Sequence, residues 1–156
     1  GSAAKAAIAR KNGCAHVLVQ GRDPIVDAVK KITKGKGVAV VYDSLGKDTF
    51  FESLDCLAPL GMMVSYGNAT GPAPSFSPLE LSKRGSLFIT RPSLFAYIAT
   101  RSDLDAAARE TFRVIASGKV KLRINQKYAL KDAAQAHRDL EARKTTGSTV
   151  LIPPSA

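Results

Sequence analysis

Apolar residues in this chain gather into short unbroken runs rather than alternating with polar ones. Val38-Ala-Val-Val-Tyr42 and Met62-Met-Val-Ser65 are the clearest, and each stops at small and polar residues. A run without alternation reads as a strand buried on both faces, the pattern of a parallel sheet flanked by helices. In such sheets ligands bind beyond the carboxyl ends of the strands. Asp43-Ser44 and Tyr66-Gly67-Asn68 follow the two runs and are therefore expected side by side at a candidate site.

The intervening stretches carry helical periods and stop signals. A helix is expected over Ala3–Asn12, capped by Ser2 and closed by Gly13. A short strand follows at His16–Val19. Asp23-Pro24 opens a second helix with Ile25, Val29 and Ile32 on one face. Asp48 caps a third, with Phe50, Phe51, Leu54 and Leu57 inward, and Pro59 and Gly61 stop it before the Met62–Ser65 strand. Residues 68–78, with Gly71, Pro72, Pro74 and Pro78, read as a loop. Ser77-Pro78-Leu79-Glu80 matches a capping box. A strand at Leu87–Ile89 ends at Arg91-Pro92-Ser93. Ser102-Asp103 then caps a long helix buried through Leu104, Ala108, Phe112 and Ile115. The tail reads as strand (Val120–Ile124), helix (Asp132–Arg143) and strand (Thr149–Ile152). This alternation predicts an α/β fold with right-handed βαβ units. The glycine-rich turn G-x-G-x-x-G of dinucleotide-binding sheets occurs nowhere in the chain.

Composition narrows the function more than the fold. The 156 residues suffice for a domain with its own core. No apolar run approaches the ~20 residues of a membrane span, and no signal-peptide pattern opens the chain. The formal charge of +10 invites a nucleic-acid reading. The basic residues, however, are scattered in runs no longer than two, with no aromatic interleaving for base stacking. Cys14 and Cys56 stand alone, as reduced cysteines of a cytoplasmic protein would, and share no ligand spacing with His16 or His137. His137, near Ala133 and Leu140 on an apolar helix face, reads as a packed structural histidine.

Several segments together resemble one family. Val-Val-Tyr-Asp-Ser-Leu-Gly at 40–46, Ser-Leu-Asp-Cys-Leu at 53–57, Val-Ser-Tyr-Gly-Asn at 64–68 and Gly-Ser-Leu-Phe-Ile-Thr-Arg-Pro-Ser-Leu at 85–94 are similar to NADPH-dependent quinone oxidoreductases. These form the zeta-crystallin-like, zinc-free branch of the medium-chain dehydrogenase/reductase superfamily. Tyr128-Ala-Leu-Lys-Asp-Ala and the stretch from Ala136-His to Thr146-Gly147 fit as well, so the likeness covers nearly the whole chain. It implies a partial Rossmann domain over 1–124 and a C-terminal strand-helix-strand segment over 125–156 that packs towards a catalytic domain. It also implies that the chain begins after the second Rossmann strand, without the catalytic domain, the first strand and the glycine-rich turn.

Residue by residue, the resemblance implies that Lys5 contacts the 2′-phosphate of NADPH. It puts Ser44, Tyr66, Gly67 and Asn68 along the cofactor towards the nicotinamide and Arg143 near the phosphates. Gln20 stands where the family often has a tyrosine at the adenosine end, which leaves the adenine contacts open. A plain structural role is the rival for each: a surface lysine, a turn serine, a strand-to-loop glycine, a helix-end arginine. The implied activity is hydride transfer from NADPH to a quinone or other electron-poor small molecule. The implied assembly is a homo-oligomer, and the fragment alone is expected to be inactive. No catalytic residue is assigned, because hydride delivery depends on positioning more than on a protein base. Two rivals remain open: an enoyl-thioester or other alkene reductase of the same superfamily, and a non-enzymatic RNA-binding or structural protein.

Overall fold

The computed structural model describes residues 2–154. Packing divides them into two compact units, one running to Tyr97 and one starting at Ile98. In the first unit, β1 (Val38–Asp43), β2 (Leu57–Ser65) and β3 (Phe88–Thr90) form one parallel sheet in the order β1-β2-β3. The helices α1 (Ala3–Lys11), α2 (Ile25–Ile32), α3 (Phe50–Asp55), α4 (Leu79–Lys83) and α5 (Leu94–Tyr97) complete it. The fold is the parallel α/β arrangement that the unbroken apolar runs predict, but among the described residues the strands are covered on one face only: Val40, Tyr42 and Met62 are exposed on the other.

The core sits where α3 covers the sheet. Phe50 and Leu54, one helical turn apart, are buried against Leu57, Met63 and Leu87, with Val41, Phe76 and Ile89 packed around them. Met63 lies on the middle strand and is 0% exposed. The Phe50 ring meets Phe51 edge-on at 5.3 Å and Phe76 at 5.0 Å between centroids. Phe51 is not inward as its spacing suggests. It is half exposed, under the guanidinium of Arg84 at 5.7 Å.

Several local expectations are corrected. His16–Val19 forms no strand: a strand needs a neighbour to accept its ladder, and the Val19 N–H goes to the Asp23 carboxylate instead, at 2.7 Å. Asp23 is therefore occupied and caps nothing, and α2 starts from Pro24. Pro59 and Gly61 lie within β2 rather than before it. The register jumps from Val38↔Leu57 to Val40↔Met62, so the intervening residues bulge out, with Leu60 at φ 61. This is how a strand absorbs a residue without an N–H donor. The Ser77–Glu80 capping box does not close. Leu79 N–H reaches Ser77 Oγ at 3.3 Å, but Glu80 turns to Arg84 and Lys83.

The second unit holds α6 (Arg101–Ala116), β4 (Ile124–Ala129), a 3₁₀ turn at Leu130–Asp132, α7 (Ala133–Glu141) and β5 (Ser148–Ile152). β4 and β5 pair in parallel with α7 between them in sequence, a βαβ unit. The long helix is capped by Thr100, not Ser102, in a reciprocal box with Asp103. Its Leu104 and Phe112 are exposed rather than buried. The strand expected at Val120–Ile124 is displaced to 124–129, where β5 offers it a partner. His137 is exposed, not packed. Among the described residues of this unit Ala136 alone is a buried hydrophobe.

Candidate functional site

β1 ends at Asp43 because its buried carboxylate draws the next turn around itself. Oδ1 accepts the N–H groups of Leu45 (2.7 Å) and Gly46 (3.0 Å). Oδ2 accepts the hydroxyls of Thr49 (2.8 Å) and Ser53 (2.7 Å). Burial pushes the carboxyl group towards protonation, but these four donors outweigh it and hold its pKa below the usual carboxylate value. Asp43 is thereby saturated. It ties the end of β1 to the start of α3 and has no role as a general base. Thr49 and Ser53 were not singled out from the sequence. Their spacing of four residues, on one face of a helix soon after Asp43, is the signal that was there to be used.

The end of β2 is strapped to this turn by the backbone. Tyr66 N–H donates to Asp43 C=O (2.8 Å), Ala69 N–H to Ser44 C=O (3.1 Å), and Thr70 N–H to Leu45 C=O (2.9 Å). Thr70 Oγ1 donates to the same Leu45 carbonyl at 2.9 Å and accepts from Asp48 N–H at 3.1 Å. A Cβ on Gly67 would sit 2.3 Å from the Ser44 carbonyl oxygen. Glycine is thus required at 67 by the neighbouring turn, whatever else approaches it. Gly46 answers the same demand from the other side: it has φ +86, and a Cβ there would lie 2.4 Å from Gly71 O.

The structure therefore brings Ser44, Tyr66, Gly67 and Asn68 together at the carboxyl ends of β1 and β2. Ser44 and Gly67 are half-buried, while Tyr66 and Asn68 are exposed. Lys5 is elsewhere, half-buried in α1, where it lines a cleft of ≈ 180 Å³ with Val17, Leu18 and Val19. Its own N–H is held by Ser2 Oγ at 3.2 Å. Arg143 belongs to the second unit, just past α7, in the left-handed region at φ 56 with its N–H on Leu140 C=O. That is the conformation of a helix C-terminal stop.

A larger cleft of ≈ 290 Å³ is lined by residues of β1, by Ile25 and Val29 of α2, by Thr49, Glu52, Ser53 and Cys56, and by Ser44. Gln20 lines it, and its amide donates to Glu52 Oε2 at 2.9 Å. The opposite edge from β2 has no strand among the described residues, and Tyr42 there is 72% exposed. The buried thiol of Cys56, also lining the cleft, is pushed up in pKa by desolvation first and by Glu52 and Asp55 next. It is therefore a poor nucleophile.

The strand-end groups fit a nicotinamide dinucleotide in chemistry. They offer a hydroxyl, a primary amide, an aromatic face and a backbone drawn in close at Gly67, all neutral, while the one carboxylate beneath them is fully occupied. No three His, Cys, Asp or Glu side chains gather around one point among the described residues, and no described helix is long and apolar enough to cross a membrane.

Comparison with known proteins agrees with this geometry. Over 155 residues the chain is 52% identical to a quinone oxidoreductase of Salmonella typhimurium, covering 98% of this chain and 47% of that protein. It is 45% identical to a 2-haloacrylate reductase of Burkholderia sp, covering 96% of this chain and 45% of that one. The crystal structure of Escherichia coli quinone oxidoreductase complexed with NADPH superposes with a TM-score of 0.92 at 48% identity, over 98% of this chain and 48% of that one. The chain thus spans about half the length of the relatives it matches. Residues 12–151, which contain both strand ends and the βαβ unit, match the zinc-binding dehydrogenase family, and the chain belongs to that family.

Proposed function

We propose that this chain is the cofactor-binding portion of an oxidoreductase that passes a hydride from NADPH to a quinone or a similarly electron-poor small molecule. The observation that carries the reading is the pair of adjoining strand ends. Ser44 and Gly67 are in backbone contact, and Tyr66 and Asn68 stand exposed beside them. NADPH supplies the hydride when bound. The chain's own part is to hold the dinucleotide. Ser44 and Asn68 present hydrogen-bonding groups, Tyr66 an aromatic face, and Gly67 a surface without a side chain. Lys5 offers a cation to the 2′-phosphate, and Arg143 a second one to the remaining phosphates. Asp43 acts at one remove, keeping the 44–46 turn in place.

In this reading residues 1–124 belong to the dinucleotide-binding domain, and 125–156 pack towards a substrate-binding domain, as the resemblance implies. The enzyme is zinc-free and cytoplasmic, and dimerises through the free edge of β3. A second reading, reduction of an activated alkene, is favoured by the 45% identity to a 2-haloacrylate reductase. The two share this half and differ in what faces the nicotinamide.

The test is steady-state kinetics on the longest protein that carries this chain, with NADPH or NADH as donor and a simple quinone or a haloacrylate as acceptor. Preference for NADPH and for the quinone is expected, and salt-sensitive RNA binding with no turnover of either acceptor would overturn the reading. The 156-residue chain alone is expected to be inactive, since it has no glycine-rich turn for the pyrophosphate.

A further inference from the structure

The turn at 43–48 and the span at 66–71 lie against each other, and the main chain joins them at both ends. Tyr66 N–H donates to Asp43 C=O at 2.8 Å, and Lys47 N–H donates to Gly71 C=O at 3.0 Å. Between these bonds lies Thr70, half-buried, whose hydroxyl donates to Leu45 C=O at 2.9 Å and accepts from Asp48 N–H at 3.1 Å. A hydroxyl can do both because it carries one donor and two lone pairs. Other side chains nearby hold one segment or the other. The Asp43 carboxylate binds Leu45, Gly46, Thr49 and Ser53, and the Arg91 guanidinium donates to Ser65 C=O at 2.8 Å. Among the described residues Thr70 is the side chain whose hydrogen bonds cross from the span to the turn.

The gap that Thr70 bridges is the one in which Ser44 and Gly67 meet. With the Gly67 backbone this close, a Cβ there would sit 2.3 Å from the Ser44 carbonyl oxygen, so the segments have no room to approach further. The Thr70 hydroxyl restrains them from moving apart. Leu45 directly follows Ser44, and Thr70 comes three residues after Gly67, so the tie acts on both. Asp48 is exposed, and water can take over its N–H when the hydroxyl is removed. Loss of the tie is therefore a loss of geometry more than of stability.

We infer that Thr70 is a positioning residue, whose hydroxyl sets the separation between Ser44 and the Tyr66–Asn68 span and so the shape of the surface that takes the nicotinamide end of the cofactor. The inference rests on the dinucleotide reading above. Thr70 acts through Ser44, Gly67 and Asn68 and is assigned no contact with the cofactor. NADPH and NADH share the nicotinamide end and differ at the 2′-phosphate, so the effect of Thr70 is common to both. A shift of the nicotinamide against the acceptor lowers the rate of hydride transfer as well as affinity.

The test compares Thr70→Val, Thr70→Ala and Thr70→Ser in the longest protein that carries this chain. Valine keeps the shape and removes both hydroxyl bonds, alanine removes them without crowding should valine not fold, and serine keeps them while dropping the methyl. Valine and alanine are each expected to lower kcat/KM about tenfold, by the same factor with NADPH and NADH, with part of the loss in kcat and little change in thermal midpoint. Serine should stay within about twofold of the unsubstituted protein. An equal loss with serine would assign the effect to the methyl and overturn the proposal. A lower thermal midpoint with kcat/KM retained would reduce Thr70 to a structural role, and a loss confined to NADPH would move the effect to the phosphate end. Titration of the unsubstituted protein with NADPH, followed by nicotinamide fluorescence, separates the two readings. No binding there sinks the dinucleotide reading and this proposal with it, whereas binding and turnover that the valine and alanine variants match sink this proposal alone.

Discussion

The two units of this chain solve the same folding problem to different depths. Up to Tyr97, one helix and three strands enclose Phe50, Leu54 and Met63 almost completely, and a buried carboxylate has a donor for each of its lone-pair directions in use. From Ile98 onward the local rules are obeyed as well: a reciprocal cap, a long amphipathic helix and a βαβ unit. Yet Leu104 and Phe112 of α6 remain on the surface, and the two-stranded sheet buries little. Correct local structure is thus not sufficient for a core. A helix face stabilises only when something covers it.

Paired substitutions put numbers on that difference. The largest contrast is between two phenylalanines. Phe50→Ala, at 1% exposure, should cost about 3–5 kcal/mol by denaturant unfolding of the first unit. Phe112→Ala, at 69% exposure, should stay within about 0.5 kcal/mol. Equal costs would mean that α6 buries its face in solution and would dissolve the comparison.

Next comes Asp43. Replacing it by alanine strands two hydroxyls and two N–H groups and should cost about 1–3 kcal/mol. Its folded pKa is depressed, so the stabilisation is fully present above the unfolded carboxylate value of about 3.9 and is lost as pH falls through the lower folded value. Unfolding curves of the wild-type chain and of Asp43→Asn should therefore converge on acidification. A constant gap down to the lowest pH would remove the carboxylate from this account.

Cofactor binding compares the units through one cation each. In the longest protein carrying the chain, Lys5→Ala should raise the KM for NADPH about ten- to a hundredfold and leave that for NADH nearly unchanged. Arg143→Ala, at an exposed helix end, should affect both cofactors alike and by less. Equal sensitivity of NADPH and NADH to the Lys5 change would take the 2′-phosphate away from it.

The smallest effect is a matter of exchange rates. Amides of Met62–Val64, on the central strand, should exchange much more slowly than those of 119–123, which form no ladder. Comparable protection would show that the 119–123 segment finds a strand partner in solution.

The unbroken runs at 38–42 and 62–65 by themselves determined the parallel sheet and the adjacency of Ser44 with Tyr66, Gly67 and Asn68. The burial on both faces that those runs suggest is not what the structure shows: Met63 faces the core, while Val40, Tyr42 and Met62 on the other face are exposed. Whether those four residues, with Lys5 and Arg143, touch a dinucleotide rests on resemblance and awaits the kinetics above. Caps were less legible, since Ser102 and Thr100 are equally able acceptors and only the backbone path selects between them. His16–Val19 and Val120–Ile124 were illegible for a stronger reason. Their composition suits a strand, but a strand exists only beside another, and the first has no neighbour among the described residues while the second yields to 124–129 beside β5. Gly67 shows the same division: its identity stood in the sequence, but the backbone of Ser44, twenty-three residues away in the chain and in contact in space, decided why no other residue fits there.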